Sequence, residues 1–234
     1  FPTSKDALAK LKPVLEGGGG VLVIGAEDPD LMVGLTHLGY SPYGDEVDSD
    51  TMIAESVAAC CAHSPKVHFV THSLGGILVR AYLSSGPPPN AGRLVMLAPP
   101  NRGSELPDLL QDQWLFETLM GPTASELGTD PDSFPNRLPL PPLPTGVIAG
   151  TGSINPIGTL VIPGEDDGMV SVCSTWMEGL ADFLVVPHTH AFIMRSTRVS
   201  EQVIRFLRVG AFDHGDDDPT ERYLEQCRES PAAD

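Results

Sequence analysis

Residues 67–83 read Val-His-Phe-Val-Thr-His-Ser-Leu-Gly-Gly-Ile-Leu-Val-Arg-Ala-Tyr-Leu. The first half alternates β-branched and aromatic residues, which is typical of a strand, and the second half has apolar residues at helical spacing. The stretch therefore predicts a strand, a sharp turn at Ser73 and a helix. A serine at such a turn stands out from the sheet edge, where a general base can reach its hydroxyl group. Gly75 supplies the room that the helix needs to leave close to the strand.

Two interpretations of Ser73 are open at this point. The motif is Thr-x-Ser-x-Gly, whereas the commonest form of a nucleophile elbow has glycine in the first position. Thr71 is crowded there but tolerable, because that position has an extended backbone. The alternative is that Ser73 is an ordinary helix N-cap, since serine is favoured where helices begin.

Apolar runs of strand length recur along the chain at residues 21–24, 93–98, 147–150 and 184–186. Helical patterns lie between and around them, at residues 1–16, 30–38, 52–63 and 192–209. Continuous apolar strands alternating with helices predict an α/β fold with a doubly wound, mostly parallel sheet. We expect one domain over residues 1–234, with the site at the carboxyl ends of the strands.

Two segments depart from this alternation. A proline-rich insertion covers about residues 104–145 and contains an apolar island at residues 109–120. Long insertions between strands are usually functional, so we interpret it as a cap or lid, the alternative being a helix that packs on the core. The acidic, polar segment 211–234 is expected to be a surface extension.

Composition restricts the class of partner. Lys and Arg number 14 against 31 Asp and Glu, which gives a formal charge of −17 and argues against binding nucleic acid or an anionic membrane surface. No apolar run is long enough to span a bilayer, and no signal segment is expected within this chain, so its compartment stays open.

Neither cysteines nor glycines indicate a cofactor site. The four cysteines, Cys60, Cys61, Cys173 and Cys227, lack metal-ligand spacing. We expect buried free thiols, the alternative being one disulfide between distant positions, for instance one that ties down Cys227. The glycines at residues 17–20 precede a strand instead of linking a strand to a helix, which is the wrong context for a phosphate loop. We therefore expect no metal and no nucleotide cofactor.

A nucleophilic serine needs a base, and the base needs an orienting carboxylate. In a strand–turn–helix context the expected chain order is Ser, acid, His. The acidic loop Glu165-Asp166-Asp167-Gly168 follows Ser73, and Asp167 is favoured because of its place in the Asp-Gly-x-Val turn. The other two carboxylates are expected to be solvated loop charges.

The base candidates are the histidines after the last predicted strand. His190 immediately precedes helix-forming residues and is favoured, which leaves His188 as a neighbour of the site or a surface residue. His72, beside the nucleophile, is interpreted as a packing or hydrogen-bonding residue. The expected oxyanion donors are the backbone N–H groups of Leu74 and Ala26. Glu27 and Asp28 follow Ala26 and are expected to face solvent.

These motifs together resemble the α/β-hydrolase superfamily, specifically its bacterial lipase and esterase group. The matching pieces, spread over about residues 65–210, are the motif at residues 68–76, Leu-Ala-Pro-Pro-Asn-Arg-Gly-Ser at 97–104, Asp-Gly-Met-Val-Ser-Val at 167–172 and His-Ala-Phe-Ile-Met at 190–194. Residues 21–40, which end in Leu-Gly-Tyr, are similar to fungal lipase-B-type enzymes.

The resemblance implies hydrolysis of small-molecule or lipid carboxylic esters without a cofactor, with Ser73, Asp167 and His190 as the catalytic triad. Two other functions remain open. Ile24-Gly25 stands where the family has a His-Gly pair, so one alternative is a weak or inactive hydrolase scaffold. The other is acyl transfer to an alcohol other than water, which uses the same residues.

Overall fold

Five parallel strands form the centre of the molecule. The computed structural model describes residues 19–25, 49–61, 63–104, 128–153, 162–216 and 218–229, and all structural statements refer to these. The strands pair in chain order; they are β1 (Gly19–Gly25), β2 (Lys66–His72), β3 (Ala91–Leu97), β4 (Thr145–Gly150) and β5 (Asp182–Val186). Strand β4 is buried along its whole length, which explains its continuous apolar run, and β2 is buried everywhere except at Lys66.

Helices cover both faces of this sheet. They are α1 (Ser49–Cys61), α2 (Leu74–Ser84), α3 (Phe134–Arg137), α4 (Val172–Thr175), α5 (Thr197–Val209) and α6 (Thr220–Glu229), with a 3₁₀ turn at Ile193–Arg195. Helices α1 and α2 lie on one face, where their buried residues share one core. Helix α5 follows the last strand and covers the opposite face.

Neighbouring residues of one strand enter different cores. Phe69 packs in the core that contains α1, α2 and α6, whereas Val70 packs in the core beneath α5. The doubly wound, mostly parallel α/β architecture predicted from the sequence is thereby confirmed. Among the described helices, none has the length and apolarity that a bilayer span requires.

The prediction of one helix over residues 192–209 is wrong for its first turn. Residues Ile193–Arg195 form a separate 3₁₀ turn, and Ser196 has an extended backbone (φ −74°, ψ 127°). The Ser196 hydroxyl group accepts a hydrogen bond from the Val199 N–H, so the serine begins a new helix as its N-cap.

The prediction that the segment after Gly210 is a surface extension is also wrong for its described part. Phe212 is buried and lies 4.9 Å, between ring centroids, from Phe206 of α5. In α6, Tyr223, Leu224 and Cys227 are buried. The high content of acidic residues concealed these apolar positions at helical spacing, which give α6 a face that packs on the core.

The expectation of free thiols is wrong as well. Cys173 of α4 forms a disulfide with Cys227 of α6, and the described part of the chain has no free cysteine, since Cys61 is also disulfide-bonded. The alternative, a bridge that ties down Cys227, is confirmed.

Several predictions lie outside the described residues. They concern the helices at 1–16 and 30–38, the island at 109–120 with its role as a lid, and the positions of Ala26, Glu27 and Asp28.

Candidate active site

The sharp turn predicted between β2 and α2 is present at Ser73. Its backbone has φ 53° and ψ −130°, a conformation that L-residues rarely adopt and that costs about 1–3 kcal/mol. The Ser73 N–H donates to the Leu97 carbonyl at 2.9 Å, and the Ser73 carbonyl accepts from the Gly76 N–H at 2.9 Å. The first bond holds the strained turn against β3, and the second joins the turn to the start of α2.

The Ser73 side chain does not act as a helix cap. Its hydroxyl group makes no capping hydrogen bond to α2, and Oγ lies 2.9 Å from Nε2 of His190 instead. The N-cap interpretation is therefore wrong. The sharp turn directs the side chain away from its own helix and towards the base candidate.

Gly76 lets α2 leave close to the sheet. A Cβ atom at this position would lie 3.0 Å from Pro99 Cβ and 3.2 Å from Met96 Sδ. A side chain here would press on Pro99 and Met96, so that these residues or α2 must shift by a few tenths of an ångström.

Asp167 is the carboxylate that faces the imidazole. Its Oδ2 accepts a hydrogen bond from His190 Nδ1 at 2.8 Å, and only 2% of the residue is exposed. Its Oδ1 accepts from the N–H groups of Met169 (3.0 Å) and Val170 (2.9 Å). The loop thus uses one oxygen to hold the carboxylate and leaves the other for His190.

One expectation about the same loop is wrong. Asp166 is not a solvated charge: it is 3% exposed, and its Oδ1 accepts a hydrogen bond from the Gly168 N–H at 2.7 Å. The side chain closes an Asx turn, which is a structural use of a carboxylate. Glu165 is exposed, as expected.

His190 lies between the two partners. Nδ1 meets Asp167 and Nε2 meets Ser73, and the His190 N–H also donates to the Asp167 carbonyl at 2.9 Å. His188 is half-buried, and its carbonyl accepts from the Gly152 N–H at 3.0 Å. The pKa of His188 is lowered by burial and by the positive charge of Arg198.

His72 packs on the base candidate, as its interpretation from the sequence requires. Nε2 of His72 lies 3.0 Å from the His190 carbonyl oxygen, and the two ring centroids are 4.8 Å apart. Burial, and then repulsion from the His190 ring when that ring is protonated, lower the pKa of His72 to about 3, against the opposing effect of the hydrogen bond to the carbonyl. His72 is therefore neutral at ordinary pH.

Of the two expected oxyanion donors, one lies within the described residues. Leu74 is the first residue of α2, so its N–H has no carbonyl one turn earlier in the helix to bind. The positive end of the helix dipole lies at this N–H. Ala26 is outside the described residues, and the pair of donors stays a prediction.

Sequence reasoning missed Arg80, a cation of α2 that is only 3% exposed. Its guanidinium donates to the carbonyl oxygens of Asn101 (3.1 Å) and Leu138 (2.6 Å), and burial lowers its pKa to about 10. The helix that begins at the nucleophile candidate is thereby joined to the residues just before the insertion and to the last part of the insertion. An arginine on the apolar face of a helix is the sequence signal that could have revealed it.

Within the described part of the chain, no group of three or more His, Cys, Asp or Glu side chains is arranged to hold a metal ion. The chemistry that the site offers is instead an alcohol, an imidazole and a carboxylate in series. Such a series can remove a proton from the alcohol oxygen and stabilise the imidazolium that results.

Comparison with solved structures decides the fold. The lipase BlEst2 of Bacillus licheniformis in its mature form superposes with a TM-score of 0.59 at 18% identity, over 82% of this chain and 91% of that one. This chain has the α/β-hydrolase fold. Phospholipase PlaB from Legionella pneumophila gives a TM-score of 0.58 at 16% identity, over 90% of this chain and 62% of that one.

A thermophilic esterase also has this fold, with a TM-score of 0.50 and 14% identity, over 81% of this chain and 90% of that one. Comparisons with protein-family models and with curated protein sequences gave no match. The likeness to fungal lipase-B-type enzymes at residues 21–40 falls mostly outside the described residues and stays a prediction.

Proposed function

We propose that this chain is a serine hydrolase that cleaves carboxylic esters, as a lipase or carboxylesterase, through an acyl-enzyme intermediate. One observation carries the proposal: Asp167 Oδ2, the His190 ring and Ser73 Oγ form a continuous hydrogen-bonded series with distances of 2.8 and 2.9 Å. The series lies beyond the carboxyl ends of parallel strands, where open α/β sheets bind their ligands.

In the proposed first half-reaction, His190 Nε2 accepts the Ser73 hydroxyl proton while Oγ bonds to the ester carbonyl carbon. The negative charge moves to the carbonyl oxygen, where the N–H groups of Leu74 and Ala26 are the proposed donors, each worth about 3 kcal/mol. As the carbonyl re-forms, the C–O bond to the alcohol breaks and the imidazolium protonates the departing oxygen. Asp167 stabilises the imidazolium throughout and takes no proton.

Water then enters the same cycle. His190 removes a proton from water, and the hydroxide oxygen bonds to the acyl carbon. The bond to Ser73 Oγ breaks, Oγ recovers its proton from the imidazolium, and the carboxylic acid leaves. The products are one alcohol and one acid, and the residues return to their starting states.

The proposed substrate class is small-molecule or lipid esters. The solved structures of similar fold include a lipase, a phospholipase and an esterase, and these names support an ester substrate. The formal charge of −17 disfavours anionic polymers such as nucleic acids as substrates.

Hydrolysis of p-nitrophenyl butyrate and p-nitrophenyl palmitate by the parent and by Ser73→Ala tests the proposal. The matched control is Ser174→Ala, a buried serine whose hydroxyl oxygen accepts a hydrogen bond from Ser171 Oγ. We expect Ser73→Ala to lower kcat by a factor on the order of 10⁴–10⁶, and Asp167→Asn by about 10⁴. The Ser174→Ala variant should retain activity close to that of the parent.

Labelling with a fluorophosphonate separates the proposal from its alternatives. A parent that is folded, inactive on both esters and unlabelled would be a hydrolase scaffold without chemistry, as the Ile24-Gly25 pair motivates. A parent that is labelled, and that forms more transesterified than hydrolysed product when an alcohol is added, would be an acyltransferase.

A further inference from the structure

We propose that His72 is a positioning residue for the base: its imidazole N–H holds the backbone carbonyl of His190, so that the His190 ring meets Asp167 and Ser73 at once. The inference rests on the proposed function, because it assigns His72 a role in that reaction. It adds a residue that lies outside the series of three.

The main chain of His190 is held on both sides. Its N–H donates to the Asp167 carbonyl at 2.9 Å, and its carbonyl oxygen lies 3.0 Å from His72 Nε2. The rings of the two histidines pack at 4.8 Å between centroids with a tilt of 46°. Both residues are almost fully buried, at 2% and 3% exposed, so water cannot easily replace the bond.

His72 is also the last residue of β2 and directly precedes Ser73. The end of one strand therefore fixes the nucleophile through the backbone and the base through a side chain. A shift of the base by a fraction of an ångström would lengthen one of its two side-chain hydrogen bonds, and positional errors of about 1 Å can cost about 10²-fold in rate.

The arrangement also determines the tautomer of His72. A carbonyl oxygen can only accept, so Nε2 carries the proton and Nδ1 is bare. Nδ1 is buried and, within the described residues, makes no hydrogen bond. The pKa of about 3 agrees with a neutral ring. A neutral donor fixes the carbonyl without placing a second positive charge beside the imidazolium that forms during turnover.

Side chains from the acid loop and from the end of β2 contact His190. The loop contributes Asp167, and the end of β2 contributes Ser73 and His72. Of these three, His72 alone contacts the backbone of His190 with its side chain. Its loss should therefore change the orientation of the base without removing any reacting group.

Three substitutions test the role. His72→Gln carries an N–H donor about as far from the backbone as Nε2, His72→Asn carries the same group too short to reach, and His72→Phe keeps an aromatic ring with no donor. We expect kcat to fall roughly 10- to 100-fold in the Phe and Asn variants with KM unchanged, because His72 is buried beneath the reacting groups. The Gln variant should recover most of the loss.

Proton NMR supplies a readout that needs no turnover. The Nδ1 proton of His190 in its bond to Asp167 should give a downfield resonance that is present in the parent and the Gln variant and shifted or broadened in the Phe and Asn variants. Fluorophosphonate labelling of the parent reports the proposed function separately. If His72→Phe fails to fold, the kcat values and the resonances of the Gln and Asn variants test the inference.

Equal kcat values for the Gln and Asn variants would overturn the inference, as would an unchanged resonance in either the Asn variant or a folded Phe variant. A parent that shows the resonance but resists the fluorophosphonate would overturn the proposed function and leave the positioning geometry standing.

Discussion

Breaking the disulfide between Cys173 and Cys227 should destabilise the protein by an amount that follows from its place in the chain. The bridge joins α4 to α6 over a sequence separation of 54 residues. Helix α4 has only 4 residues, so it depends on contacts from elsewhere to hold its conformation. It begins directly after the loop that carries Asp167, with Ser171 as its N-cap.

The magnitude comes from the entropy of the denatured chain. Closing a loop over a separation of 54 residues removes about 14 cal/mol/K from the unfolded state, which is about 4 kcal/mol at 25 °C. For a domain of this size, each kcal/mol moves Tm by about 2–4 °C, so the expected decrease is about 8–16 °C. The acid loop has hydrogen bonds of its own, including that from Val172 N–H to the Glu165 carbonyl at 2.9 Å. Activity at 25 °C should therefore change much less than Tm.

Urea unfolding of Cys173→Ser, Cys227→Ser and the double variant measures this loss of free energy, and thermal unfolding of the same variants measures the decrease in Tm. Each single substitution already removes the whole cross-link, so we expect the double variant to be little less stable than either single variant. Substituting both cysteines leaves the bond of Cys61 intact, which reduction with dithiothreitol would not. The entropic argument would be refuted if the stability losses of the two single variants added in the double variant, or if Tm changed by only a degree or two.

Three further predictions concern buried or paired charges. The pKa of His72 is about 3 in the folded protein and 6.5 in the unfolded chain, so the unfolded chain binds more protons below pH 6.5. Stability should therefore decrease as the pH is lowered, by roughly 2 kcal/mol between pH 8 and pH 5. In urea unfolding, His72→Gln should remove this part of the pH dependence. For His214, burial lowers the pKa, but hydrogen bonds to Asp182 and Asp218 outweigh it and raise the pKa overall. The stability contributed by charged His214 is complete below its unfolded pKa of about 6.5 and is lost as the pH rises through its folded pKa. His214→Gln should therefore cost up to about 1 kcal/mol at pH 6 and less at pH 9. Arg80→Met leaves carbonyl groups without their donor and should cost about 1–3 kcal/mol in urea unfolding.

Each of the three has an outcome that contradicts it. An acid slope that persists unchanged in His72→Gln would mean that other groups cause it. A loss from His214→Gln that is the same at both pH values would mean that packing, and not charge, holds this histidine. An Arg80→Met variant that is as stable as the parent would mean that water replaces the guanidinium at these carbonyl groups.

Local signals in the sequence were enough for much of the site. The turn at Ser73 follows from a strand pattern that meets a helix pattern, and the position of His190 follows from the end of the last strand. Both features depend on residues within one turn or strand of each other, so a single sequence carries them. The positive φ of Ser73 is a consequence of the same local geometry.

Choosing among neighbouring carboxylates needed more than the local pattern. Asp166 and Asp167 are adjacent and almost equally buried, yet one closes a turn and the other faces an imidazole 23 positions away. The Asp-Gly-x-Val pattern favoured Asp167, which faces His190 in the structure, whereas Asp166 was expected to be a solvated charge and is buried. The side chain of Asp166 has a use only within the folded loop, which a residue-by-residue interpretation does not contain.

The sequence by itself determined the order of strands and helices and the strand–turn–helix at Ser73, because hydrophobic periodicity is a property of neighbouring residues. Only the tertiary structure decided that Cys173 pairs with Cys227, that the acidic segment after Gly210 packs on the core, and that His72 and Arg80 bind distant carbonyl groups. The contacts of Cys173, His72 and Arg80 close loops of 21 to 118 residues. Each partner is determined by which buried polar groups need a hydrogen bond once the chain has folded. The order of residues along the sequence does not contain that information.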